Sequence, residues 1–429
     1  MPPNILLITT HDTGRHLGCY GVESVHTPNL DGLAEEGCRF TEYFSVAGLC
    51  SPSRGGMMTG RYPQSNGMLG LCHGLHGWRL NDGERHLSRL LHDAGYYTCL
   101  LGHQHETTDI DAQLCFDEHA LYWEDRRRGL HTTCEQVAEG VEEFLGGKAR
   151  EQRPFYLQVG FFETHRPFDF GGAEPDDSGG VDIPPYIKDN EAGRKKCAAF
   201  QGLIRKMDAA VGRILGALGD SGLAEETLVI YSVDHGIPFP RAKTTLYDAG
   251  ISIPLIVRLP GRVQPGTTCN RLLSNVDLVP TVLDLAGVES PGNLEGRNFA
   301  SAFDGGEGVG RDRVFAEHHS TSGECRCIRT NAHKLIRNFC LMPQYPVPVD
   351  VGGPVRPGRR PHVELYDLRK DPLETRNLAD YPDPEALRAE LDGELLAWME
   401  RVGDPVLDGP VETPYYRDAI NAFLRDAGA

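Results

Sequence analysis

NILLITTHD, residues Asn4 to Asp12, decides how the rest of the chain is read. Four consecutive apolar residues, Ile5 to Ile8, show no alternation of dry and wetted positions, so the strand they form is covered on both faces. Strands of that kind belong to parallel sheets wrapped by helices, which bind ligands beyond the carboxyl ends of their strands. His11 and Asp12 stand at such an end.

The pattern recurs outward from there. YYTCLLG (96–102) runs into His103 and His105, FYLQVGFF (155–162) into His165, and TLVIYSV (227–233) into Asp234 and His235. IPLIVRL (253–259) is a further strand. Helical periodicity fills the intervals: TPNLDGLAEEG (27–37), with Thr27 as cap and Gly37 as stop, then RHLSRLLHDAG (85–95), CEQVAEGVEEFL (134–145), a long helix over 192–218 and VDLVPTVLDLAG (276–287). The expected fold is α/β, a large mixed, mostly parallel sheet sandwiched by helices. DGGEGVG (304–310) reads as a linker. The short strands RVFAEHH, CRCIRT, HKLIRN and ELYDL and a helix over 384–401 then form a smaller C-terminal α+β subdomain, so residues 1–303 and 311–429 make two units. The loop 168–185, rich in Gly, Asp and Pro, is expected to be mobile.

Composition narrows the partners. Among 429 residues, 61 acidic against 43 basic side chains give a net charge of −18, which argues against nucleic acid and against an anionic membrane surface. No apolar run approaches the ~20 residues of a bilayer span, and no signal peptide is legible, so a cytoplasmic location is expected. Twelve cysteines without a CxxC pair read as reduced thiols, Cys325 and Cys327 being structural.

Four strand ends carrying His or Asp, all at one sheet edge, make a site. His11, Asp12, Asp234 and His235 are a reasonable set for a divalent metal, carboxylates suiting hard ions and imidazoles suiting Mn, Zn or Fe. CSPSRGGMMTG (50–60) turns from loop into helix, and its free N–H groups together with the Arg54 fork favour an oxyanion. A Cys50 thiolate there is acidified, yet poorly matched to a metal with hard ligands.

The motif C-S-P-S-R, followed by T-G, resembles the signature of the type I sulfatases of the alkaline phosphatase superfamily, in which the cysteine is oxidised to formylglycine. ELYDLRKDPLETRNLA (364–379) resembles that family's C-terminal signature, and TPNLDGLAEEG its first helix. NGMLGL (66–71), DHGIPFP (234–240) and KTTLYDAG (243–250) look most like the heparan N-sulfatases, the sulfamidases, which cleave the sulfamate of N-sulfoglucosamine.

The resemblance implies an alkaline-phosphatase-like fold and a set of roles. Cys50, as formylglycine, is nucleophile and metal ligand; its second hydroxyl later expels sulfate. Arg54 holds the diol, His105 hydrogen-bonds it, His165 protonates the leaving group and Lys243 binds the sulfate. His11, Asp12, Asp234 and His235 complete the metal site, calcium in the family. The implied partners are a sulfated or N-sulfated saccharide, as in heparan sulfate degradation, and a formylglycine-generating enzyme during maturation.

Three departures stand out. The family opens its metal site with Asp-Asp, here His11-Asp12, and closes it with Asp-Asn, here Asp234-His235, a softer set that shifts the expectation toward manganese or zinc. His103 replaces a lysine, which makes sulfate binding there pH-dependent. Asp-His also occurs in the related phosphonate monoester hydrolases, so a phosphonate monoester or phosphodiester is the alternative substrate. A sulfated-glycan-binding homologue whose cysteine is never converted is the non-enzymatic alternative. His318 and His319 reach the substrate from the C-terminal unit, and the loop with His73, His76, Trp78 and Arg79 is a candidate sugar contact.

Overall fold

The computed structural model describes residues 2–73, 77–121, 132–150, 153–304, 310–320, 323–339 and 361–426. The 304–310 linker lies almost wholly outside them, as does His76. In chain order the first strands are β1 (Asn4–Thr10), β2 (Cys38–Phe40), β3 (Tyr43–Phe44), β4 (Tyr97–Gly102), β5 (Glu118–Ala120), β6 (Phe155–Gly160), β7 (Thr227–Val233), β8 (Leu255–Arg258), β9 (Thr267–Cys269) and β10 (Leu273–Ser274). Eight of them form one sheet in the order β5-β4-β6-β1-β7-β8-β2-β9.

β1 is central, paired in parallel with β6 and β7. Its unbroken apolar run divides between two cores. Leu6 and Ile8 pack with the helices Pro28–Glu36, Cys134–Gly146 and Glu191–Asp220, while Ile5 and Leu7 pack with Cys50–Thr59, Leu87–Asp93 and Leu278–Ala286. Burying both faces is what lets the strand dispense with polar alternation.

β8 alone runs against its neighbours β7 and β2. A parallel return needs a crossover, usually a helix. Between β7 and β8 the chain supplies only the four-residue helix Asp248–Ile251, so it comes back antiparallel. Thr27 does not cap its helix: its Oγ1 accepts the Gly18 N–H and donates to Asp31 instead. The loop expected to be mobile is tied down. The Asp176 N–H donates to the Ala198 carbonyl, its carboxylate lies 2.9 Å from His26 Nδ1, and the Gln201 amide donates to the Asp176 and Gly180 carbonyls.

The C-terminal strands β11 (Arg313–Ser320), β12 (Gly323–Thr330), β13 (His333–Asn338) and β14 (Val363–Asp367) make an antiparallel sheet in sequence order. One face, through Ala316, Cys325 and Cys327, packs on Phe44, Leu246 and Tyr247. The other, through Ile328 and Leu335, packs on Leu391, Leu395 and Trp398 of the helix Glu385–Arg401. A final helix, Pro414–Asp426, follows, with no counterpart among the elements read from the sequence. The described cysteines are all free, and no helix among the described residues is long and apolar enough to cross a membrane.

Candidate active site

The ends of β1, β4, β6 and β7 deliver their polar residues to one edge, because parallel strands in register end together. Gly160 ends β6 with no room for a side chain: a Cβ there would overlap the His103 carbonyl, so strand β4 can bring His103 directly alongside. The backbone is strained at this edge. Asp12 (φ 56°), Thr164 (φ 79°), Arg241 (φ 64°) and Thr244 (φ 66°) all adopt left-handed conformations that cost non-glycine residues energy and concentrate at functional sites.

One ligand atom from each of His11, Asp12, Cys50, Asp234 and His235 lies within 4.8 Å of all the others, and all five side chains are buried. Asp234 Oδ1 accepts the N–H groups of Asp12 and His235, both at 2.9 Å. His11 Nδ1 lies 2.8 Å from Asp12 and 3.0 Å from Asp234. The His235 Nδ1–H donates to the Gly236 carbonyl (2.8 Å), which leaves Nε2 facing Cys50 Sγ at 3.3 Å and Asp12 at 3.1 Å. Fixing the tautomer through the far nitrogen is how proteins ready an imidazole for a metal.

Cys50 opens the helix Cys50–Thr59. Ser53 anchors that helix, donating to the Asp234 carbonyl at 2.5 Å and accepting from Asn275, whose Oδ1 takes the Val46 N–H. The second serine of the motif thus locks the thiol to the β7 end. Arg54 is fully buried, with Nε on Asp234 (3.2 Å), Nη1 on Thr9 Oγ1 (3.2 Å) and Nη2 on the Thr10 carbonyl (3.0 Å). Its fork therefore grips Asp234 and β1, where the sequence suggested an open oxyanion site. Lys243 Nζ donates to both oxygens of Asp12, at 2.9 and 2.7 Å.

The electrostatics follow from burial competing with neighbours. Burial pushes the Cys50 thiol up, but Lys243, His11 and His235 outweigh it and bring the pKa down to about 6. Burial alone lowers His235, yet Asp234, Asp12 and Cys50 raise it to about 10, and His11 rises well above its usual value for the same reasons. Asp12 and Asp234 overcome burial to sit well below the carboxylate range, Lys243 and His11 acting on the first, His235, His11 and Arg54 on the second. A group that pulls protons so firmly onto its imidazoles attracts positive charge, and its carboxylate, imidazole and sulfur donors are of the kinds that ligate divalent ions. The residues fit a metal.

The remaining expected residues flank this group. His165 Nε2 lies 3.9 Å from Asp12 while its Nδ1–H donates to the Arg166 carbonyl (2.6 Å); burial, then Lys243, lower it to about 3. His103 stacks on His11 with ring centres 4.9 Å apart, and burial, His11 and Arg54 hold it well below its ordinary value. His105 is likewise depressed by burial, His103 and His73, and its Nε2 lies 2.6 Å from His73 Nδ1. His318 and His319 stand on β11 outside the five-residue group: His318 Nε2 lies 3.1 Å from Ser320, and His319 sits edge-on to Trp78 and 3.3 Å from Glu324.

Sequence reasoning missed Glu106, whose buried carboxylate accepts the His105 N–H (2.8 Å), and the Thr10–Thr13–Thr164 hydroxyl chain. Adjacency to His105 and His165 was the available signal.

A sulfatase family model matches residues 3–288, and one for the C-terminal part of N-sulphoglucosamine sulphohydrolase matches residues 239–347. Human N-sulphoglucosamine sulphohydrolase is 29% identical, the match covering 95% of this chain and 92% of that one. An ulvan-active sulfatase of Formosa agariphila is 28% identical over 94% of this chain and 75% of its own. Among solved structures, a protein in complex with D-glucosamine-2-N,6-O-disulfate superposes with a TM-score of 0.78 at 19% identity, covering 96% of this chain and all of the other.

Proposed function

The chain belongs to the sulfatase family, and from that premise we propose that it hydrolyses the sulfate ester or sulfamate of a sugar with the side chain at position 50 as nucleophile. The observation that carries this reading is the packing of Cys50 among His11, Asp12, Asp234 and His235, with Lys243 and Arg54 each seated on one of the two carboxylates.

In this reading Cys50 is oxidised to formylglycine, whose hydrated aldehyde supplies a hydroxyl able to attack sulfur. His11, Asp12, Asp234 and His235 would hold a divalent cation, manganese or zinc rather than calcium by donor chemistry, which supplies positive charge to the sulfuryl oxygens. Arg54 fixes Asp234 against β1 and keeps the donor set from collapsing. Lys243 faces the site from Asp12 and offers its remaining N–H to an oxyanion. His105 takes a proton from the nucleophile. His165 protonates the leaving nitrogen or oxygen; it is neutral at rest because of burial and Lys243, and an anionic substrate beside Lys243 reverses the second effect. His103, His318 and His319 contact the substrate.

Similarity to the human sulphohydrolase along nearly the whole of both chains, and to its C-terminal family model, supports an N-sulfated sugar. The pair Asp234-His235 favours the second reading, a phosphonate monoester or phosphodiester. Protein produced together with a formylglycine-generating enzyme, its partner in maturation, is assayed side by side on N-sulfoglucosamine, an aryl sulfate and a phosphodiester. The proposal expects the two sulfur substrates to turn over faster. Preferential phosphodiester cleavage establishes the second reading, and no turnover despite a formed aldehyde leaves a binding protein.

A further inference from the structure

Beside the carboxylate-rich group lies another constellation, made of residues to which the proposed reaction gives other roles. One ring nitrogen from each of His11, His103 and His105 lies within 4.8 Å of the other two, and all three side chains are buried. Both ring nitrogens of His103 and Nδ1 of His105 find no hydrogen-bond partner among the described residues, although each sits where water does not reach. Buried polar atoms are rarely left so, and a bound ion is one of the few explanations when several face one another.

The ring geometry is specific. The ring centres are separated by 4.9 Å (His11–His103), 5.5 Å (His11–His105) and 5.3 Å (His103–His105). Three imidazoles on a tetrahedral zinc, with bonds of about 2.0–2.1 Å, place their ring centres roughly 5.2 Å apart. His105 also carries the outer contact that such ligands show. A proton on its Nε2 shared with His73 Nδ1 at 2.6 Å leaves Nδ1 with a lone pair for a metal. The donor set is purely imidazole, so it selects a borderline transition ion over a hard one.

We propose that His11, His103 and His105 form a second metal site, for zinc or a like divalent transition ion, that shares His11 with the site built from Asp12, Cys50, Asp234 and His235. The site draws on residues of the proposed reaction, sharing His11 and taking up His103 and His105, but its occupancy is read without turnover and without an aldehyde. A cation there lies at the same strand edge as Lys243 and adds positive charge to an otherwise acidic protein where an anion would bind.

The test reads metal, not activity. Protein stripped with a chelator is loaded with zinc alone, freed of excess by gel filtration, and its zinc counted by mass spectrometry. The wild type is expected to keep two equivalents, and His103→Ala and Asp234→Asn one each. A single equivalent in the wild type, or two in His103→Ala, overturns the proposal. Should the variants fail to fold, the wild type loaded with copper decides: pulsed electron paramagnetic resonance shows a signal from three imidazole nitrogens if the site exists, and fewer if it does not.

Discussion

In the proposed reaction the side chain at position 50 both attacks sulfur and ligates the metal. Cys50→Ala is expected to lower sulfatase turnover by on the order of 10⁴-fold or more, with little change in the urea midpoint because the substitution is small. In the same reaction His165 is proposed to protonate the leaving group, so His165→Ala should cost roughly 10²–10⁴-fold on a sulfamate or alkyl sulfate and much less on an activated aryl sulfate. Equal losses on both would remove the acid role. That His11, Asp12, His103, His105, His165, Asp234 and His235 gather at one edge was legible in the sequence because they follow apolar strands, whereas Cys50 and Arg54 stood out through the C-S-P-S-R motif. Their charge states were not. That the His103 pKa is held well below its ordinary value, or that the Arg54 fork is occupied by Asp234 and β1, depends on burial and on partners up to 180 positions away.

At the scale of elements, the site depends on how tightly strand ends approach. A methyl group on Gly160 collides with the His103 carbonyl, so Gly160→Ala should destabilise the protein by about 1–3 kcal/mol, read from urea unfolding, and displace His103 enough to depress turnover. Wild-type stability with intact turnover in that variant would show that β4 can slide freely. The four strands that carry the site, and most of the helices around them, were readable from apolar runs and 3.6-residue periodicity. The direction of β8 and the short strands β2, β5 and β9 were not, because three residues of strand carry too little pattern and strand direction is set by the connection rather than by the strand itself.

Across the whole molecule, buried ion pairs tie the C-terminal sheet to the α/β body. Lys334 on β13 is fully buried, donates to the Leu246 carbonyl and sits 2.6 Å from Asp248 and 2.9 Å from Glu374. Lys334→Met leaves Glu374 without its cation and Asp248 with Arg329 alone (3.2 Å), and a loss of about 3–5 kcal/mol is expected in chemical denaturation. A change below 1 kcal/mol would mean, on the scale of exposed pairs, that the network is dispensable. Two buried histidines away from the site set the acid limit. Burial lowers His16 to about 4 and His86 to about 3. A folded-state pKa below the unfolded value means that the unfolded chain binds more protons, so their contribution is complete above roughly pH 6.5 and is lost as the pH falls through 4 toward 3. Thermal melts should therefore drop across that window, and His86→Asn should flatten the drop.

The expectations on turnover hang on a nucleophile at position 50 acting within a sulfatase. The most direct test is release of inorganic sulfate from N-sulfoglucosamine by the wild type and by Cys50→Ala, each produced alongside a formylglycine-generating enzyme and supplied with manganese or zinc. Sulfate from the wild type and none from the variant is the predicted result; equal release from both would contradict it.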